Sequence, residues 1–255
     1  MNRTMILLSI VWLLAAAAGC QNGELGGPAE VAATRGTVGA VIVRKGPAID
    51  GTLASPLWQK CPALVLGKVM SQELGELKTT ARVLFDGTHL YVAWDCTEPD
   101  TGSIKAAVKD RDGSVWNDDS VELFITGDPR VGWFHFTINA VGTLLDARTT
   151  PGENREDSSW NSSAVASARV EKDKRWTVTL SVPLKELGAY VGEGQTWAMN
   201  LNRTRPLGSN QWQESSWSAT GRSRYRDSAG WGKIVGVRIP RRADGVTRTA
   251  QPPTQ

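Results

Sequence analysis

This sequence predicts an all-β protein, a two-sheet antiparallel β-sandwich of jelly-roll type with one or two short helical turns. Three observations predict it. Short runs rich in Val, Thr, Trp and Phe are separated by Gly, Asp and Pro clusters; apolar residues inside those runs recur with period two; and helix signals are scarce. The runs fall at 39–44, 62–66, 78–86, 89–96, 119–126, 132–140, 143–148, 163–171, 175–182, 195–204 and 232–237. Asp86-Gly87 joins two of them as a hairpin turn, and Lys172-Asp173-Lys174 makes another. Single helical turns are expected at 55–60 and 183–187, the second opened by Pro183 and closed by Gly188. Many short strands at this spacing pack as two sheets.

Alternation assigns faces to the central runs. Val121, Leu123 and Ile125 point one way and Glu122, Phe124 and Thr126 the other. Phe134, Phe136 and Ile138 alternate with His135, Thr137 and Asn139, and Trp197, Met199 and Leu201 with Asn200 and Asn202. With the apolar sets in the core, Glu122, His135, Thr137, Asn139, Asn200 and Asn202 share the opposite face. Such a face is either an ordinary wet sheet surface or a floor of hydrogen-bonding groups for a hydroxylated ligand.

Size and charge narrow the class. The chain has 255 residues, a formal net charge of +3 and 40% hydrophobic residues, which fits one folded core of roughly 200 residues between two ragged ends. The basic residues are scattered except near the C-terminus, so no nucleic-acid footprint is indicated. Eleven Trp stand against four Phe and three Tyr. Most should pack in the core, leaving some indole surface for other work.

The first 19 residues read as a secretory leader: Arg3 provides a positive start, and the apolar run Met5 to Ala18 is too short to span a bilayer. Ala17-Ala18-Gly19-Cys20 looks like a bacterial lipobox, although Leu is more usual at the position of Ala17. That resemblance implies cleavage, lipidation of Cys20 and attachment to the cell envelope without a transmembrane helix. Gln21 rather than Asp after the cysteine implies the outer membrane. Residues 20–37 read as a Gly-rich flexible tether, 38–238 as the folded domain, and 239–255 as a disordered basic tail. Cys61 and Cys96 remain as an even pair in an oxidising compartment and could form a disulfide or stay as two buried thiols.

Across the folded part the landmarks resemble the family 9 carbohydrate-binding modules. They are Ile49-Asp50-Gly51 with Trp58, Val83-Leu84-Phe85-Asp86, Leu90-Tyr91-Val92-Ala93, the run from Trp116 to Ile125 with Asp118, Asp119 and Glu122, and Phe136-Thr137-Ile138-Asn139. Met199-Asn200-Leu201-Asn202, Ser216-Trp217-Ser218, and Arg226-Asp227 before Trp231-Gly232 follow in the family's order. The resemblance implies a β-sandwich that binds chain ends of xylan or cellulose without hydrolysing them, as an accessory to carbohydrate catabolism and beside a partner glycoside hydrolase. It also implies a sugar clamped between two aromatic rings, carried over to Trp116 and Tyr225, with Glu122, Asn202, Arg222 and Thr137 taking hydroxyls. Tyr225 stands where the family has Trp, and Thr137 where it has Arg. No cofactor is implied.

Flat apolar rings with planar polar groups suit a pyranose, which has C–H faces and a rim of hydroxyls. Covering about 100 Å² of sugar at roughly 25 cal/mol/Å² gives about 2.5 kcal/mol, so dissociation constants between about 1 μM and 1 mM are expected.

Two other readings compete. Asp118, Asp119 and Glu122 could be the carboxylates of a glycoside hydrolase, which needs two acids about 5 to 10 Å apart. The distant likeness of such modules to haem-binding DOMON-type sandwiches offers His89, His135, Met70 and Met199 as axial ligands. Acidic loops such as 110–119 could hold a structural calcium ion. No Cys/His cluster has zinc spacing.

Overall fold

The computed structural model describes residues 30–31, 36–71, 73–151, 155–188, 192–208, 210–221 and 225–239. The leader, Cys20, Arg222 and the tail from residue 240 lie outside them. The strands are β1 (Glu30–Val31), β2 (Thr37–Gly39), β3 (Ala63–Lys68), β4 (Leu74–Phe85), β5 (His89–Thr97), β6 (Ser120–Thr126), β7 (Phe134–Asn139), β8 (Leu144–Thr149), β9 (Glu156–Asp157), β10 (Val165–Glu171), β11 (Arg175–Pro183), β12 (Gly192–Gly208), β13 (Gln211–Ser216) and β14 (Gly232–Ile239). The expected helical turns are present as short 3₁₀ segments at Trp58–Lys60 and Leu184–Glu186. Among the described residues no helix is long and apolar enough to cross a membrane.

Hydrogen bonding runs through one continuous sheet in the order β10-β11-β5-β4-β3-β13-β12-β6-β7-β8-β9. It folds on itself so that β10 to β3 form one layer and β12 to β9 the other, with β13 pairing both β3 and β12. Alternating side chains of the two layers meet in the core. Val83, Phe85, Val92, Trp94, Trp176 and Leu180 come from one layer, and Leu123, Ile125, Phe136, Trp197, Met199 and Leu201 from the other. Phe85 and Trp197 touch edge to face with centroids 6.0 Å apart.

β12 is the longest strand because three partners share it: β6 pairs with Ala198–Thr204 along one edge, while β14 and then β13 pair along the other. Beyond Leu201 its inward side chains turn charged. The buried Arg203 donates to Glu98 Oε2 (3.1 Å), Thr79 Oγ1 (3.1 Å) and the Thr97 carbonyl (3.0 Å), and Arg205 Nε donates to the same Glu98 oxygen at 2.7 Å. A buried carboxylate is tolerated only with such partners.

The Ile49-Asp50-Gly51 landmark anchors the chain to the outside of β11. Gly51 N–H donates to Thr179 Oγ1 at 2.9 Å, and Thr177 Oγ1 donates to the Gly51 carbonyl. Gly51 has φ +76°, and a Cβ there would lie 2.7 Å from the Ala168 backbone, so both conformation and closeness require glycine.

One open alternative is decided and two expectations change. Cys61 and Cys96 are free thiols on opposite faces of the β4–β5 layer: Cys96 points into the main core, while Cys61 packs outside with Trp58, Leu84, Tyr91 and Ala93. A sheet stands between them, so no disulfide forms. Burial pushes their thiols up to about 12 for Cys96 and about 11 for Cys61. Within the expected tether, Glu30–Val31 pair in parallel with Ala63 and Leu64 of β3, and Thr37 begins β2. The run expected at 39–44 ends as a strand at Gly39 and continues only as an isolated bridge between Ile42 and Phe85.

Candidate functional site

The site is built on the outer face of the β13-β12-β6-β7 layer. Register places Thr137, Glu122, Asn202 and Ser216 side by side across β7, β6, β12 and β13, and Asn139, Ser120, Thr204 and Glu214 form the next row. Paired residues of antiparallel strands share a face, so both rows lie opposite the core.

The polar face divides into structural and uncommitted parts. Asn139 donates to Asp118 and the Val108 carbonyl and accepts from Val141 and Thr143, fastening a turn. Asn200 accepts from Ser216 and Ser218 and donates to the Ser218 carbonyl, fastening the loop after β13. Asn202 is different. It is fully buried, and among the described residues neither its amide oxygen nor its nitrogen has a hydrogen-bond partner; the Ser120 hydroxyl in the next row is also unpartnered. Unpaired buried amides are costly, which directs attention to what could meet this one.

Glu122, 5% exposed, accepts from His135 Nε2 at 2.8 Å and from Thr204 Oγ1 at 3.2 Å. A carboxylate has acceptor capacity beyond two bonds. The buried His135 ring also meets Glu156 Oε1 through Nδ1 at 3.1 Å and Thr137 Oγ1 at 3.0 Å, and it stacks on Phe124 with centroids 4.0 Å apart. Burial disfavours a charged ring here, but hydrogen bonds to Glu122 and Glu156 outweigh it and raise the His135 pKa. A ring between two carboxylates donates from both nitrogens only as imidazolium. Glu156 is in turn held by Arg226 Nη2 at 3.0 Å. Its own burial would raise its pKa, yet His135 and Arg226 lower it.

Trp116 sits in the 3₁₀ turn Val115–Asn117 leading into β6, with Val115 buried beneath and the indole 50% exposed. Tyr225 does not stand opposite as a second open plate. It is 8% exposed, packs with Val69, Phe124 and Trp231, and donates its hydroxyl to the Arg203 carbonyl at 3.1 Å, with Thr204 Oγ1 at 3.4 Å. Tyr225 therefore walls the floor beside Thr204 and Glu122. Burial and the neighbouring Glu122 and Glu214 charges hold its phenol well above its ordinary pKa. Arg222, three residues earlier, lies outside the described residues.

Several residues of the competing readings carry structural tasks, and among the described residues His89 Nδ1 meets only the neighbouring Thr88 Oγ1, at 2.9 Å. Asp118 Oδ2 accepts from Val108 N at 2.9 Å and from Asn139, and Asp119 Oδ2 accepts from Lys105 N at 2.9 Å, so both acids strap the 105–108 segment onto the layer. His135 has both nitrogens within hydrogen-bond distance of carboxylates; Met199 is in the core, whereas Met70 is exposed. Among the described residues no group of three or more His, Cys, Asp or Glu is placed to hold a metal ion.

A family model described as carbohydrate family 9 binding domain-like matches residues 49–237, about three quarters of the chain. The chain belongs to that family. Solved structures agree on the fold. A candidate carbohydrate-binding protein from Bacteroides uniformis is similar at TM-score 0.65 and 17% identity, over 78% of this chain and 98% of that one. A family 9 carbohydrate-binding module from Caldicellulosiruptor kristjanssonii solved with cellotriose is similar at TM-score 0.58 and 15% identity, covering 84% of this chain and 100% of that one. The same organism's module solved with glucose gives 0.57, 15%, 82% and 97%. A search of curated proteins finds no match.

Sequence reading did not single out Thr204, Glu156 or Trp212 for this family 9 domain. Thr204 lay at the end of an assigned run, and Glu156 belongs to a two-residue strand that leaves no periodic signal. Trp212 is carried by β13, whose Gln211, Gln213 and Ser215 alternate with Trp212, Glu214 and Ser216, so neither face is apolar.

Proposed function

We propose that this domain is a non-catalytic saccharide-binding module for a neutral plant-type polysaccharide, xylan or glucan. A pyranose lies with its C–H face on Trp116 while its hydroxyls reach Asn202, Glu122 and the residues around them. The observation that carries the reading is the Asn202 amide, buried and unpartnered beside the Glu122 carboxylate. Together they supply donor and acceptor edges of the kind sugar hydroxyls pair with. Family membership supports the same reading, as do the ligands of the Caldicellulosiruptor kristjanssonii modules. Tyr225 acts as a side wall, and its ring meets the sugar only at its edge. Weak affinity follows from the small apolar area, with dissociation constants between about 1 μM and 1 mM.

In this proposal the protein is exported, held at the bacterial outer membrane through lipidated Cys20, and works beside a glycoside hydrolase. Isothermal titration with xylo- and cello-oligosaccharides tests the binding. Heat that disappears in Trp116→Ala and in Asn202→Ala supports it. The absence of heat with every oligosaccharide refutes it.

A further inference from the structure

Of ten described tryptophans, Trp116 and Trp212 are the two that stand exposed, and Trp212 has no role in the core. It is 49% exposed on β13, facing a groove of about 320 Å³ between the β12–β13 hairpin and the β3–β4 connection. Met70, Leu77, Lys68, Arg205 and Glu214 line the groove with it. The mixture resembles a ligand pocket, with apolar surface broken by a few polar groups. Its cations are already paired, Arg205 with Glu98 and Lys68 with Glu73, which leaves no unpaired positive charge among them to select an anionic ligand. Among the described residues the Glu214 carboxyl makes no hydrogen bond, and burial together with the nearby Glu122 charge raises its pKa.

Trp212 and Glu214 stand on the face of the floor described above, while Arg205 lines the groove from the inward side of β12. Glu214 pairs with Thr204, whose hydroxyl donates to Glu122, and Trp212 pairs with Pro206 two residues further along. From the Asn202–Ser216 row to the Pro206–Trp212 row is four residues, or roughly 13 Å along the strands. One pyranose cannot bridge that length, but a short oligosaccharide can.

We propose that this groove is a second subsite, in which Trp212 stacks on a further sugar unit of the chain whose first unit lies at Trp116 and Asn202, and Glu214 accepts one of its hydroxyls. The ligand class is then a neutral oligosaccharide of three or more units. The inference rests on the saccharide-binding reading above.

Titration of the full chain with glucose, cellobiose, cellotriose and cellotetraose, and with the xylose series, tests it. In whichever series binds, affinity should rise with length up to three or four units. Trp212→Ala should remove that gain, weakening the longest ligand roughly tenfold or more while leaving the shortest measurable ligand within about twofold. Trp212→Phe, which keeps a plate, should retain part of it. Trp116→Ala should weaken every length. Equal affinity of Trp212→Ala and the unmodified protein for the longest ligand overturns the subsite while leaving the first site standing. A length-independent affinity overturns it too. No binding of any saccharide overturns both readings.

Discussion

Removing the His135 ring tests whether the charged bridge beneath the site is a real energetic element. In His135→Ala, Glu122 and Glu156 lose the cation whose two N–H groups they share at 2.8 and 3.1 Å. Taking one partner from a buried ion pair typically costs about 3–5 kcal/mol, because the remaining charge is left unmatched. The lost stacking on Phe124 adds roughly 0.5–1.5 kcal/mol. For a domain of this size each kcal/mol lowers the melting temperature by about 2–4 °C, so a fall of at least about 6 °C is expected.

Linkage gives the sign with pH. The raised His135 pKa contributes stability that is fully present below its unfolded value of about 6.5 and is lost as pH rises through the folded value. The lowered Glu156 pKa contributes stability that is present above its unfolded value and is lost as pH falls through the folded one. The bridge is therefore strongest between those limits, and urea denaturation followed by tryptophan fluorescence should show the largest deficit of His135→Ala near pH 6. The deficit should shrink as pH falls through the folded Glu156 value. Glu156→Gln in the His135→Ala background should recover part of it. A loss below about 1 kcal/mol at pH 6, or one independent of pH, refutes the charged bridge.

Arg203→Ala removes one of the two guanidinium groups on Glu98, itself 1% exposed, and should cost about 3–5 kcal/mol in denaturant titrations. Glu214→Gln replaces a carboxyl whose pKa is raised first by burial and then by Glu122; it should raise the melting temperature at pH 7 and leave it unchanged at pH 4, read by calorimetry. Cys61 and Cys96 should resist a thiol reagent at pH 8 in the native protein and both react in denaturant, without prior reductant; a blocked pair would contradict the geometry.

The layered β architecture was legible because its causes are local. Period-two alternation in Val121–Ile125 and Phe134–Ile138 set the inward faces, and Asp86-Gly87 supplied a turn. β13 was invisible because its partners, not its composition, make it a strand: it closes the seam between β3 and β12 with a polar sequence. The site was readable as far as residue type and face allow, which placed Glu122, Thr137 and Asn202 together. Rotamer and packing decide the rest. Nothing in the sequence distinguishes Asn200, saturated by the Ser216–Ser218 loop, from Asn202 two positions on. Tyr225 likewise turns inward because Arg203 presents a carbonyl and Phe124 an apolar wall, neither of which is nearby in sequence.

β12 has a bearing on how such a module diversifies. Its successive side chains alternate between Met199, Leu201 and Arg203 on one side and Asn200, Asn202 and Thr204 on the other, so a shift of that strand to suit a new sugar would also disturb the interior. Trp116 and Trp212 are free of that constraint, standing on a turn and near a hairpin tip. In a library randomised at all these positions, folded survivors should retain the β12 residues and vary at the two indoles, and, on the binding reading proposed above, shifts in sugar preference should map to those two positions.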